Sequence, residues 1–271
     1  MLITTPATSH RELAKLLSPY LTERSVILLN PGRCFGAAEF RRILDLNKAA
    51  TTAVVAETET ILYTCRRQER RRVRLYALKN DVRLSSPSGK NPLVRLPVAL
   101  GRFFRYEPNY LAVTLNNIGA MLHVAPVLLN IGLIEQPKLE FDYYYEAITP
   151  TIAKVIEKLD TERLMVGRLV GASLDSLPEW LGRMYGTRAK GIYAALGENA
   201  FYRNIPAPKT LQHRYLWEDI PFGLVALESV ACYYHQPTPA ITKLIELGEL
   251  ILGCDYRKQG TKYDELLPYL K

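Results

Sequence analysis

Between Tyr110 and Gln136 the chain reads YLAVTLNNIGAMLHVAPVLLNIGLIEQ, a long apolar stretch on which Asn116, His123 and Asn130 recur at a spacing of seven. Apolar surface on this scale has to leave water, so the fold must wrap around this segment. The pattern reads as helix with a break or kink near Pro126, because proline removes a backbone donor and crowds the preceding turn. Seven residues is close to two helical turns, so an undisturbed helix would show all three polar side chains on one face. Such a face suits the lining of a buried cleft. It equally suits a core helix whose histidine and amides tie down neighbouring backbone.

The 271 residues suffice for one large domain or two smaller ones, and a hydrophobic content of 48% indicates a globular chain. No membrane span is expected, and the opening MLITTPATSHRE lacks the basic start and apolar core of a signal peptide. Cys34, Cys65, Cys232 and Cys254 are scattered, with no C-x-x-C pair. That spacing favours reduced thiols in the cytoplasm and argues against structural zinc; no metal site is expected.

A net charge of +8 suggests a polyanion partner until the charge is located. Six arginines and one glutamate crowd residues 66–74, and without them the chain carries only +3. The segment lies between two β-like runs, AVVAETETILYTC and VRLYALKNDVRL, and is expected to be a solvated hairpin. A phosphate-binding or inter-subunit role is the alternative. Nucleic-acid binding is the least favoured, since no recognition motif accompanies the charge.

The first ninety residues alternate strand and helix. LITTP ends a strand, and Thr8 or Ser9 caps a helix over 10–21 with Leu13, Leu16 and Leu17 on its apolar face. Residues 25–29 form a buried strand, 37–46 a helix and 51–57 a further strand. This order is the grammar of a parallel, doubly wound sheet, in which ligands bind at the carboxyl ends of strands. The loops at 4–9, 30–36 and 57–60 qualify. A G-x-G-x-x-G is missing, and GTRAKG at 186–191 lacks the Lys and Ser/Thr that a P-loop needs.

From Pro92 onward the pattern turns helical, with helices expected at 93–104, 111–133, 144–159, 177–185, 191–196, 222–234 and 239–252. The last is signed by Thr238 as cap, Pro239 at its first position and Gly253 at its end. SSPSG at 85–89 marks the division into a nucleotide-binding part, 1–89, and a helical substrate part, 90–271. The stretch QHRYLWEDIPFGL places Arg214 five residues before Asp219. In isolation Asp219 reads as a helix cap and Arg214 as a surface charge. With His123 they offer a carboxylate to fix an imidazole tautomer and a guanidinium to grip a substrate carboxylate.

The helical half resembles the carboxyl-terminal domain of the octopine/nopaline (opine) dehydrogenases. The similarity rests on LNNIGAMLHVAPVLLNIGLIE, FDYYYEAITPTIAKVIEKLDTER, LPEWLGRMYG, FYRNIPAPKTLQHRYLWEDIPFGLV and LILGCDYRKQGTKYDELL, in that order. TTPATSHRELA, VILLNPGRCFGAAEFRRIL and VAETETILYTCR are similar to the later portion of the family's nucleotide domain. Two departures are visible. Val124 and Ala125 separate His123 from Pro126, where the family has His followed directly by Pro. The family's amino-terminal βαβ, with its dinucleotide fingerprint, has no counterpart.

The resemblance implies a truncated Rossmann-like parallel sheet, an α/β remnant, followed by an all-α dehydrogenase domain. It implies an NAD- or NADP-dependent reductive condensation of an amino acid with a 2-oxo acid. His123 would be the general acid/base, Asp219 its orienting partner and Arg214 the oxo-acid clamp, with Asn116 and Asn130 as further substrate contacts. Thr5, Pro6 and Glu57 would lie on the nicotinamide side. Without the fingerprint, cofactor binding is expected to be weakened or lost, and a pseudoenzyme or half of a split enzyme is the competing reading. The open edge of the sheet suggests a homodimer.

Overall fold

The computed structural model describes residues 1–48 and 52–270. Strands β1 (Leu2–Ile3), β2 (Val26–Leu29) and β3 (Val54–Thr58) pair in parallel, separated by helices α1 (His10–Leu17) and α2 (Gly36–Leu46). All four residues of β2 are buried, as expected of a strand covered on both faces. Thr51, the expected start of β3, lies outside the described residues.

An antiparallel hairpin follows, β4 (Tyr63–Glu69) with β5 (Arg72–Leu78), and then β6 (Val82–Ser85) returns to the sheet antiparallel to β3. The arginine-rich segment is therefore a hairpin, and Arg67, Arg70, Arg71, Arg72 and Arg74 are exposed on it. The expected helix at 93–104 does not form. Pro92 and Pro97 divide it into a 3-10 turn and a single turn, α3 (Val98–Gly101), and β7 (Phe104–Tyr106) joins the sheet beside β6. The strand order is β1-β2-β3-β6-β7, so the sheet is mixed and not wholly parallel.

Helix α1 stops at Leu17 because Pro19 follows in a 3-10 turn. Its buried residues are His10 and Ala14, whereas Leu16 is exposed. Ser9 makes no cap; its hydroxyl bonds Thr5 Oγ1 and Pro6 O instead.

The long apolar stretch divides into α4 (Tyr110–Thr114), α5 (Gly119–Leu129) and α6 (Ile131–Ile134). The breaks fall at residues 115–118 and at Asn130, and Pro126 sits inside α5. Proline leaves the carbonyl four residues earlier without its helical donor. Here the Tyr143 hydroxyl lies 3.2 Å from that Leu122 oxygen and 2.8 Å from the His123 oxygen. Residues 110–129 are apolar and long enough to cross a membrane, and no charged residue occurs between Glu107 and Glu135. Yet 89% of the most apolar window there is buried within the fold, which marks a core segment.

The helices that follow are α7 (Pro150–Leu169), α8 (Leu177–Tyr185), α9 (Ile192–Glu198), α10 (Arg214–Trp217), α11 (Val225–Tyr233), α12 (Pro239–Leu252), α13 (Tyr256–Gln259) and α14 (Tyr263–Leu266), of which α7, α10 and α12 pack against α5. The helix expected at 144–159 begins at Pro150, which the Thr149 side chain caps. It then runs ten residues further than expected, to Leu169. At α12 the Thr238 side chain makes no cap; the Glu162 carboxylate accepts from the Ala240 and Ile241 amides. One buried apolar cluster runs from Ile3 on β1 to Leu266 on α14.

Candidate active site

The carboxyl ends of β1, β2 and β3 open onto a cavity of about 220 Å³. Thr4, Thr5, Pro6, Pro31, Arg33 and Thr60 line it from the sheet side, and Ile118, Gly119, Leu122 and His123 from the start of α5. The hairpin contributes Tyr63, Thr64 and Arg66, and Arg214 and Glu218 close the helical side.

His123 is the organising group. Its Nδ1 lies 2.7 Å from Asp219 Oδ2, and its Nε2 lies 3.2 Å from the Tyr144 hydroxyl. Asp219 is 1% exposed, so the carboxylate accepts the Nδ1 proton away from water. That assigns the Nδ1–H tautomer and leaves Nε2 as the acceptor. Tyr215 stacks on the imidazole with centroids 3.7 Å apart and fixes its plane. Burial pushes the His123 pKa down to about 4; Asp219 works against this, and Arg214 and Arg33 add to it. At neutral pH the ring is therefore a neutral base.

Behind the dyad lies an ionic cluster. Arg33 Nη1 is 2.9 Å from Asp219 Oδ1, and its Nε and Nη2 donate to Glu218 at 3.1 and 3.0 Å. Burial alone would raise Glu218, but Arg33, Arg214 and the Ala7 amide hold it at about 2. The loop delivering Arg33 carries two non-glycine residues in the left-handed region, Arg33 (φ 60°) and Phe35 (φ 65°). Such backbone costs about 1–2 kcal/mol per residue and persists where surrounding contacts enforce it. A side chain at Gly119 would crowd this cluster, because a Cβ there would meet Arg33 Nη1 and stand 3.1 Å from Asp219 Oδ1.

The structure thus brings together His123, Asp219 and Arg214, with Thr5 and Pro6 across the cavity. It does not bring in Asn116 or Asn130, because the break at 115–118 and the turn at 130 turn them elsewhere. Asn116 donates to Glu59 and Asp175 and accepts from Arg163, inside a buried network that Arg183 completes at 2.8 Å from Glu59 and 2.6 Å from Asp175. Asn130 donates to the Pro126 and Ala147 carbonyls. Both amides are spent on the protein.

Glu57 is likewise displaced from its expected place. It is fully buried, its Oε2 accepts the Ala37 amide at 2.5 Å at the start of α2, and it does not line the cavity. Burial pushes its carboxyl up to about 7 despite bonds from Thr114, Ala37 and Tyr110.

Sequence reasoning missed Arg33, Glu218, Arg66, Lys79, Tyr144 and Tyr215. For Arg66 a signal existed: alternation along β4 puts Thr64 and Arg66 on one face, and both line the cavity. Among the described residues no group of three or more His, Cys, Asp or Glu is arranged to hold a metal.

Strand-end loops of a Rossmann-like sheet facing a helical domain across a polar cavity define the layout of a two-part dehydrogenase. The model for the alpha-helical domain of NAD/NADP octopine/nopaline dehydrogenases matches residues 106–252. The opine dehydrogenase of Arthrobacter sp. (strain 1C) is 34% identical over 98% of this chain and 74% of its own. The chain belongs to the octopine/nopaline dehydrogenase family and is an oxidoreductase. Solved structures agree in fold. Octopine dehydrogenase with NADH and pyruvate superposes with a TM-score of 0.75 at 20% identity, over 98% of this chain and 74% of that one. Apo yersinopine dehydrogenase gives 0.76 at 14%, over 99% and 76%.

Proposed function

We propose that the protein is an NAD(P)-dependent opine dehydrogenase that joins an amino acid to a 2-oxo acid through a reduced C–N bond. The observation that carries this reading is a buried His–Asp dyad whose Nε2, beside the Tyr144 hydroxyl, faces a cation-lined cavity next to Arg214. In this reading residues 1–89 face the cofactor through the strand-end loops, and residues 90–271 supply the dyad and Arg214. The lining suits the reactive end of a nicotinamide. Thr5 and Thr60 offer hydroxyls to a carboxamide, and Pro6, Pro31 and Ile118 offer apolar surface to a ring. When bound, the reduced cofactor supplies the hydride.

Arg214 donates paired hydrogen bonds to the oxo-acid carboxylate. Neutral His123 takes a proton at Nε2 from the amino acid's ammonium group, freeing the nitrogen lone pair to attack the C2 carbonyl. Asp219 holds the Nδ1 proton and stabilises the imidazolium so formed. The imidazolium returns its proton to the carbinolamine hydroxyl, which leaves as water, and hydride addition at C2 completes the secondary amine. Starting from the ammonium form, one hydride is added and one water is released, and the secondary amine then takes its own proton from solvent.

Oxidation of NADH or NADPH that requires both a 2-oxo acid and an amino acid supports this reading. Oxidation by the 2-oxo acid alone, unaffected by any amino acid, refutes it.

A further inference from the structure

The ionic groups around the cavity are not all matched. Arg33 is neutralised by Glu218 and Asp219, and Arg214 lies 3.3 Å from Glu218. Arg66 and Lys79 also line the cavity, yet among the described residues no carboxylate lies within ion-pair distance of either. Arg66 donates to the Cys65 carbonyl at 2.9 Å and to the Tyr215 hydroxyl at 2.6 Å. Lys79, only 6% exposed, donates to the Ile61 carbonyl at 2.7 Å. A guanidinium has five donors and an ammonium three, so both retain donors for a ligand. Elsewhere the fold matches its inward-facing arginines: Arg163 with Asp160, and Arg183 with Glu59 and Asp175. Burying an unmatched cation is costly, and an anion entering the cavity removes that cost.

We infer that Arg66 and Lys79 form a second carboxylate subsite, which takes the carboxylate of the amine donor. The subsite rests on the opine dehydrogenase reading and deepens it. Arg214 reaches the cavity from α10, whereas Arg66 and Lys79 reach it from the hairpin and the turn that follows it. Two carboxylates of one dicarboxylic product therefore meet cations on separate elements. The Tyr215 hydroxyl holds Arg66 while the Tyr215 ring packs on His123, which ties the subsite to the group that handles the amine proton. Burial, with Arg66 adding its charge, lowers the Lys79 pKa to about 7, so a bound carboxylate would draw this amine into its charged form.

The test compares leucine with 3-methylbutylamine, which differs only in lacking the carboxylate, using Arg66→Gln and Lys79→Met. With a 2-oxo acid as partner, leucine is expected to be preferred at least hundredfold in kcat/KM. Each substitution is expected to raise the KM for leucine about tenfold to hundredfold, the range for one lost charge-assisted contact. The KM for the oxo acid should rise much less. Calorimetric binding of leucine and of the amine, in the presence of NADH or NADPH, repeats the comparison without turnover. Thermal melts exclude misfolding; Lys79→Met should melt no lower than the parent.

Equal binding or use of the two amines overturns the subsite even where the condensation stands, as does a rise confined to the oxo-acid KM. Absence of cofactor oxidation with every pair refutes the opine reading itself, and the binding comparison then decides the subsite.

Discussion

His123 is held from three directions: Asp219 at Nδ1, Tyr144 near Nε2 and the Tyr215 ring against its face. Positioned proton transfer contributes about 10²–10⁴-fold, so His123→Gln is expected to lower kcat by that factor. Asp219→Asn should lower kcat because an amide need not select the same tautomer. Arg214→Lys should act mainly on the oxo-acid KM, since an ammonium cannot make the paired bonds of a guanidinium. Steady-state kinetics separates these effects, and full kcat in His123→Gln would contradict the assigned role. His123, Asp219 and Arg214 were legible because two distinctive stretches carry them. Arg33 was not, because in NPGRCFG it reads as an ordinary turn residue, and only the left-handed backbone reveals that the turn aims it inward. Arg66 was hidden among exposed arginines.

At the scale of elements, the sequence showed which segment is the core but not where it bends. The sequence places the break near Pro126, whereas the helix is interrupted at residues 115–118 and at Asn130, with Pro126 inside α5. Pro126 is tolerated inside α5 because Tyr143, a residue distant in sequence, satisfies the carbonyl it frees. No local signal encodes that partner. The same long-range logic ties the end of β3 to α8, where Arg183 bridges fully buried Glu59 and partly buried Asp175. Removing one partner of a buried ion pair typically costs about 3–5 kcal/mol, because the other charge is left unmatched. Arg183→Met is expected to lose that much in urea unfolding. A loss below about 1 kcal/mol would mean that water already relieves Glu59 and Asp175.

Across the whole molecule, the order of α/β and helical parts was legible from the change in periodicity near Pro92, but the antiparallel return of β6 and the late strand β7 were not. Strand direction is set by tertiary pairing that short apolar runs do not record. Ionisation adds a global signature. Burial holds His10, His123 and His213 neutral down to about pH 4, while their ordinary value is 6.5, so the unfolded chain binds up to three more protons between these limits. Glu57 opposes them, because the folded carboxyl stays protonated up to about 7 against an ordinary 4.5. The three imidazoles outweigh the one carboxyl, so stability should rise with pH from about 4.5 towards 6.5, and level off as the unfolded imidazoles lose their protons. Urea titrations across that range test the sign; a flat profile would contradict it.

The most direct test of the central claim follows the hydride. The protein is supplied with a 2-oxo acid, an amino acid and reduced cofactor deuterated at the transferring position, and the products are read by mass spectrometry. The expected product is a secondary-amine dicarboxylate with one deuterium on the carbon that was C2 of the oxo acid. Deuterium recovered only in a 2-hydroxy acid, with no C–N bond formed, would contradict it.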